Sequence, residues 1–255
     1  VPNRLIQLLA SNRQAPRRFE ARMLPAAAAD APAEAEILLY DVIVDSELEA
    51  EWWGGVAPEP FVKALRGITA DVIHLRINSP GGSVFAARAM ETALREHKAK
   101  VVVHIDALAA SAASFLAMAG EEIIMSKGAM MMIHKAWTLA WGNADELKKS
   151  ADLLDKIDGT LVTTYADRTG QTSEDVLAMM TAETWFTAQE AIDAGLADSI
   201  AAEPAKASAQ WNLTAYAHAP AQTPASAPEQ SHASADHRAR SEQRMRVARV
   251  LQPIV

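Results

Sequence analysis

Apolar and polar positions change their period repeatedly along the chain, and each change marks an element. Ile37-Leu38-Leu39-Tyr40-Asp41-Val42-Ile43-Val44 reads as a strand. Val72-Ile73-His74-Leu75-Arg76-Ile77 alternates as a strand should, and Val101-Val102-Val103-His104-Ile105 reads as a buried one. Two shorter strand patterns follow, Ile123-Ile124-Met125 and Met130-Met131-Met132-Ile133. Helical spacing is carried by Phe61, Val62, Ala64 and Leu65 after Pro58 and Pro60, and again by Ala86, Met90 and Ala93/Leu94. Phe115 to Ala119 is an apolar helical segment closed by Gly120. Residues 144–168 form the longest helix, with Leu147, Ala151, Leu154, Leu161 and Tyr165 on one face. Lys148, Lys149, Asp152 and Lys156 stand mostly on the other. Such a helix either lies on its own core or projects and packs on another subunit. Thr172 with Asp175 marks a short helix through Met180, and Thr187 with Glu190 has capping-box spacing for a helix from Ala188 to Ala194. Trp52-Trp53-Gly54-Gly55-Val56 reads as a loop.

Composition divides the chain into three parts. Half of the 255 residues are hydrophobic, enough for a sizeable core, and no apolar run is long enough to span a bilayer. The chain has no Cys, which excludes disulfides, thiolate metal sites and a cysteine nucleophile. A net charge of −8 argues against a general nucleic-acid binder. Residues 1–24 carry Arg4, Arg13, Arg17, Arg18 and Arg22 against Glu20. That fits a transit peptide or a basic docking arm, and Pro16, which interrupts any amphipathic helix, favours the arm. An Ala/Pro-rich linker follows, so residues 1–36 read as arm and linker and residues 37–202 as the folded domain. Residues 203–255, rich in Ala, Pro, Ser and His, read as a disordered tail. The tail ends in a segment carrying Arg238, Arg240, Arg244, Arg246 and Arg249.

Candidate chemistry gathers at four places. Ala109-Ala110-Ser111-Ala112-Ala113-Ser114 lies between a buried strand and an apolar helix. Small neighbours leave room for a substrate backbone, and a helix start offers unpaired N–H groups. The same pattern serves as close packing with an N-cap. Ser114 is a second possible nucleophile. Asn78-Ser79-Pro80-Gly81-Gly82-Ser83 ends another strand, where paired glycines let backbone N–H groups approach a ligand as in an oxyanion hole, or simply make a turn. His134 ends the Met-rich strand and is either structural or a general base. Glu183, just before Trp185-Phe186, is either solvated or orients that histidine. His74 and His104 lie within strand patterns, and packing is their default role.

These segments together carry a resemblance. Ile77-Asn78-Ser79-Pro80-Gly81-Gly82-Ser83-Val84, Ala109-Ala110-Ser111-Ala112-Ala113 with Ala119-Gly120, and Met132-Ile133-His134 occur in the order found in the Clp protease proteolytic subunit. Thr187-Ala188, Glu190-Ala191 and Gly195-Leu196-Ala197-Asp198 continue that match. Residues 37–202 thus resemble the ClpP/crotonase superfamily. The Arg-rich start, Tyr40-Asp41, Trp52-Trp53-Gly54 and Glu183-Thr184-Trp185 are most similar to the ClpP-like head maturation (prohead) proteases of tailed bacteriophages.

The resemblance implies an α/β fold, a ClpP/crotonase-like spiral of β-β-α units with a protruding handle helix. It implies a serine endopeptidase with Ser111 as nucleophile, His134 as base, Glu183 as orienting acid, and Gly82 and Ala112 N–H groups as oxyanion hole. Glu183 stands where ClpP itself has aspartate. No metal or organic cofactor is implied. The expected substrate is protein or peptide, and the expected assembly a ring-shaped homo-oligomer. A capsid or scaffold partner would be reached through the termini, in the bacterial host cytoplasm or inside the prohead, with no nucleic-acid or membrane partner. Three alternatives stand beside head maturation. One is a housekeeping ClpP-type protease working with an ATPase, and another a catalytically silent assembly protein. The third is a crotonase-type acyl-CoA enzyme, which does not need Ser111 and His134 together.

Overall fold

The computed structural model describes residues 4–202, apart from 27 and 29, and residues 211–220. The first half of the chain gives α1 (Arg4–Ser11), β1 (Arg18–Met23), β2 (Glu34–Tyr40), α2 (Glu47–Trp53), α3 (Pro58–Arg66), β3 (Val72–Ser79), α4 (Val84–Glu96), β4 (Lys100–Ala110) and α5 (Ala112–Ala117). Then follow β5 (Glu122–Met125), β6 (Met130–Ile133), α6 (Ala144–Thr169), α7 (Ser173–Thr181), β7 (Thr184–Thr187), α8 (Ala188–Asp193) and β8 (Ser199–Ile200).

The sheet runs β1-β2-β3-β4-β5-β8, parallel from β2 onward, with β1 antiparallel on its edge. Strand β4 has two successive neighbours. Its middle, Val102 to Ile105, pairs with β5, and its end, Leu108 to Ala110, pairs with β6, which carries β7 antiparallel. The sheet therefore forks at the end of β4, immediately before Ser111.

Alternation along the central strands sorts the two faces, as period-2 side chains must. Ile37, Leu39, Ile73, Leu75, Ile77, Val103 and Ile105 are buried against Phe61, Leu65, Met90, Leu94 and Phe115 from α3, α4 and α5. The opposite face is polar. His74 Nδ1 lies 2.9 Å from His104 Nε2, and Arg76 makes a two-pronged pair with Asp106 at 2.8 and 2.5 Å. Both histidines thus serve packing and polar pairing. Burial, with Arg76 nearby, pushes His104 down to about 4.

Helix α6 reconciles its two sequence readings. Asn143 and Glu146 form a capping box at its start, and Gly170 ends it in the left-handed conformation. Its buried residues, Asp158, Leu161, Val162 and Tyr165, all lie in the second half. The first half carries exposed Leu147 and Leu153. The helix lies on the core at one end and projects at the other.

Several expectations are corrected. The expected arm contains α1, whose Leu8 and Leu9 are buried, and β1, whose Phe19 ring lies 6.0 Å from Phe61. The two arginines of β1 are paired locally, Arg18 with Glu20 and Arg22 with Glu36, on an edge strand. Trp52 and Trp53 end helix α2 rather than a loop, because Ser46 caps it, its Oγ accepting from Glu49 N at 3.2 Å. The strand expected over 37–44 leaves the ladder at Tyr40, although Val42, Ile43 and Val44 stay buried. Residues 211–219, placed by their composition in a disordered tail, bury Trp211, Leu213, Ala215 and Tyr216 in a second apolar cluster with Leu8, Leu9, Leu108 and Met132. The Arg-rich segment at 238–249 lies outside the described residues.

Candidate active site

Strand β4 delivers Ser111 in an unusual backbone conformation, φ 56° and ψ −125°. Among the described residues, Ser111 and Glu183 (φ 51°) are the non-glycine residues with positive φ. Such strain, on the order of 1–3 kcal/mol, persists where surroundings over-determine the chain, and it clusters at functional sites. Ser111 is held from both sides. Its N–H donates to Met132 O at 2.9 Å, and its carbonyl accepts from Ser114 N and Phe115 N as α5 begins.

The glycine turn is pressed against it. A Cβ on Gly81 would lie 2.5 Å from Ala110 O and 2.8 Å from Ser111 Cβ. On Gly82 (φ 142°) it would lie 1.9 Å from Ile43 O, so neither position has room for alanine. Ile43 pins the turn from behind, its N–H donating to Gly81 O at 2.8 Å and its carbonyl accepting from Ser83 N at 2.9 Å. Gly82 N–H and Ala112 N–H donate to no protein acceptor among the described residues. Gly82 lines one cavity with Ser111, and Ala112 follows Ser111 directly at the start of α5.

Opposite them, His134 Nε2 lies 2.7 Å from Ser111 Oγ. Strand β6 ends one residue earlier, which makes the imidazole a rigidly mounted group. Burial pushes His134 down to about 4, Glu183's charge partly offsetting this and Arg4 adding to it. At neutral pH the ring is uncharged. In the tautomer that carries its proton on Nδ1, the ring can accept a hydrogen bond from the Ser111 hydroxyl at Nε2.

Glu183 is brought close by strand register. Ile133 pairs with Thr184 in the antiparallel β6–β7 ladder, and one step further puts Glu183 beside His134. Its buried carboxylate does not hydrogen-bond the imidazole. It accepts from Ala217 N at 3.1 Å and His218 N at 2.6 Å. The structure thus joins Ser111 to His134 directly and couples Glu183 to them through its charge.

Ser114 is fully buried, its Oγ 2.7 Å from Ser111 O, 2.8 Å from Met132 O and 2.9 Å from Tyr165 Oη. Its hydroxyl is engaged by the turn at Ser111 and by Tyr165, and His134 is not among its partners. Next to Ser111, His134 and Gly82 opens a cavity of about 280 Å³, lined on its apolar side by Leu8, Val84, Phe85, Leu139, Leu153 and Ile157. Tyr216 also lines it. Sequence reasoning missed both Tyr216 and Leu8. The available signal was aromatic content: Trp211 and Tyr216 are large core-forming side chains in a tail otherwise poor in them.

The model of the Clp protease family matches residues 65–204, more than half of the chain. The chain belongs to the Clp protease family. Gly82, Ser111, Ala112, His134 and Glu183 all lie inside the matched span; α1 and residues 211–219 lie outside it. The chain is 33% identical over 130 residues to the ATP-dependent Clp protease proteolytic subunit of Bacteroides fragilis, covering 50% of this chain and 63% of that one. It is 32% identical over 142 residues to proteolytic subunit 2 of Rhodococcus jostii, covering 53% and 70%. To proteolytic subunit 1 of Leifsonia xyli it is 30% identical over 173 residues, covering 66% and 87%. The chain thus spans less than two thirds of the Bacteroides fragilis subunit.

The depressed His134 fixes an expected pH dependence. Its folded value, about 4, lies below the ordinary value near 6.5, so the neutral ring favours the fold fully above pH ~6.5. That contribution is lost as pH falls from ~6.5 towards 4, at up to about 1.4 kcal/mol per pH unit. A reaction in which neutral His134 takes up a proton should likewise keep its kcat/KM level down to about pH 5 and then fall. An acid limb centred at pH 6.5 or above would show that the base is not the buried, neutral His134 of this structure.

Proposed function

We propose that the chain is a serine endopeptidase with Ser111 as nucleophile and His134 as general base and acid. The 2.7 Å contact between Ser111 Oγ and His134 Nε2, beside two unpaired backbone N–H groups, carries this reading. Ser111 Oγ attacks the carbonyl carbon of a peptide bond as its proton passes to His134 Nε2, and the carbonyl oxygen takes up negative charge at Gly82 N–H and Ala112 N–H. Collapse of the tetrahedral species breaks the C–N bond, with His134 returning the proton to the leaving amine. Water, deprotonated by His134, then cleaves the acyl-enzyme and restores Ser111. The apolar cavity wall favours an apolar substrate side chain next to the scissile bond. A fluorophosphonate should label the protein once, on Ser111. A label mapped to Ser114, or no label in folded protein, would overturn the assignment.

The finer reading is processing of phage head or scaffold proteins, supported by the Trp52-Trp53-Gly54 and Glu183-Thr184-Trp185 segments. The relatives' name, ATP-dependent Clp protease proteolytic subunit, supports the alternative of a subunit working with an ATPase. Cleavage of a folded head protein by the isolated protein without ATP supports the first, and strict dependence on an added ATPase the second. For assembly, the exposed Leu147 on the projecting start of α6 supports a homo-oligomer, ring-shaped as in the resemblance, with this helix at an interface. Sedimentation should show a multimer at micromolar concentration, dissociated by Leu147→Glu. A fully active monomer would refute it.

A further inference from the structure

Residues 211–219, outside the family match, reach the strand end before the glycine turn, His134 and Glu183. Trp211 Nε1 donates to the Asn78 side chain at 3.0 Å, both residues being buried on the approach to the glycine turn. Tyr216 Oη donates to Pro80 O, one residue before Gly81. The Tyr216 ring stands edge-on to the His134 imidazole, centroids 5.5 Å apart at 87°, and is also edge-on to Trp185. Ala217 and His218 then give their N–H groups to the Glu183 carboxylate, and His218 Nδ1 lies 2.8 Å from Ala182 O.

The segment is firmly seated. Asn12 and Asn212 exchange two hydrogen bonds, Asn212 N to Asn12 Oδ1 at 2.7 Å and Asn12 Nδ2 to Asn212 O at 2.9 Å. Leu213 and Ala215 pack in one cluster with Leu8 and Leu9 of α1. Both ends of the described fold are thus sewn together over the site.

We propose that residues 211–218 are the positioning element of the active site, with Tyr216 as the positioning residue for His134. Resting on the endopeptidase reading, the inference assigns three tasks to this segment. Its backbone holds Glu183 beside the imidazole: a buried carboxylate needs hydrogen-bond partners, and these two N–H groups supply them where the charge is useful. The Tyr216 ring fixes the plane of the imidazole by an edge-to-face contact and keeps water from it. Its hydroxyl ties that arrangement to Pro80, so base and oxyanion turn move as one body. The polar and charged groups facing the imidazole are Ser111, Glu183, Arg4 of α1 and Tyr216 itself, and the Trp137 ring lies 6.0 Å from it, so removal of Tyr216 changes its packing without changing its charged neighbours.

The test compares Tyr216→Phe, Tyr216→Leu and Tyr216→Ala in the full chain. Two readings are taken: peptidase kcat and KM, and the titration of His134 followed by NMR. Tyr216→Ala should lower kcat about 100-fold at nearly unchanged KM and raise the His134 midpoint towards 6.5. Tyr216→Phe, which keeps the ring, should retain the low midpoint and a kcat within about tenfold of the parent. Tyr216→Leu fills the space without an aromatic edge and should fall between them; it carries the comparison if the alanine variant does not fold. A kcat that rises in these variants would make the segment an inhibitory cover and overturn the inference, as would a change confined to KM. A His134 midpoint equal in the parent and in Tyr216→Leu overturns it too, whether or not the protein cleaves peptide. Failure of the parent to cleave or to take a fluorophosphonate on Ser111 refutes the endopeptidase reading instead.

Discussion

Ser111→Ala should give a folded protein without measurable peptidase activity, a loss that in the best-studied serine protease template is about 10⁶-fold in kcat. Loss of labelling alone would not separate a catalytic serine from one that shapes the turn, so the glycine variant is the informative partner. Ser111 sits at φ 56° and ψ −125°, a conformation that costs a residue with Cβ about 1–3 kcal/mol and glycine almost nothing. Ser111→Gly should therefore be equally inactive yet melt higher than Ser111→Ala, by the equivalent of about 1–2 kcal/mol. Two inactive variants of unequal stability, in that order, would show that the backbone strain belongs to the nucleophile's presentation. If Ser111→Gly melts below Ser111→Ala, the strain is not there to be relieved.

How far the sequence discloses this arrangement depends on the range over which each feature is encoded. The central strands and their helices were legible because alternation along residues 72–77 and helical spacing after Val84 are local consequences of burial on one face. Ser111, His134 and the glycine turn were legible because each stands at a strand end, with small or apolar neighbours that mark the junction. Strand β7 was not: Thr184 to Thr187 is four residues long and acquires its strand character from pairing with β6, a partner over fifty residues away. The packing of residues 211–219 was hidden for a similar reason. Ala, Pro and Ser dominate its surroundings, and its order comes from Asn12, Leu8 and Asn78, more than 130 residues earlier in the chain. Glu183 was legible as a candidate acid, but not its hydrogen-bond partners, which lie within that same hidden segment.

Glu183→Gln is therefore a sharper experiment than the sequence alone made it. The proposed role of Glu183 is to stabilise the imidazolium that forms as Ser111 attacks, and loss of the acid lowers kcat by about 10⁴-fold in the template triad. A glutamine keeps the shape and removes the charge. It also offers one acceptor where the carboxylate offers two, and both oxygens are used, by Ala217 N and His218 N. One N–H would then face an NH₂ group, so the variant should lose about 1–3 kcal/mol of stability as well as turnover. Glu183→Asp separates the two effects. Aspartate tolerates φ near 51° better than glutamate does, which favours the backbone, but its carboxylate is one methylene further from both the N–H pair and His134. It should recover part of the activity through the restored charge, with kcat between the glutamine variant and the parent. Glu183→Gln that melts lower but cleaves peptide at the parental rate would assign the carboxylate to holding residues 217–218 and leave Ser111 and His134 working as a dyad. If Glu183→Gln instead turns over at least about 100-fold more slowly, at constant KM and with partial recovery in Glu183→Asp, the carboxylate charge acts in the reaction itself.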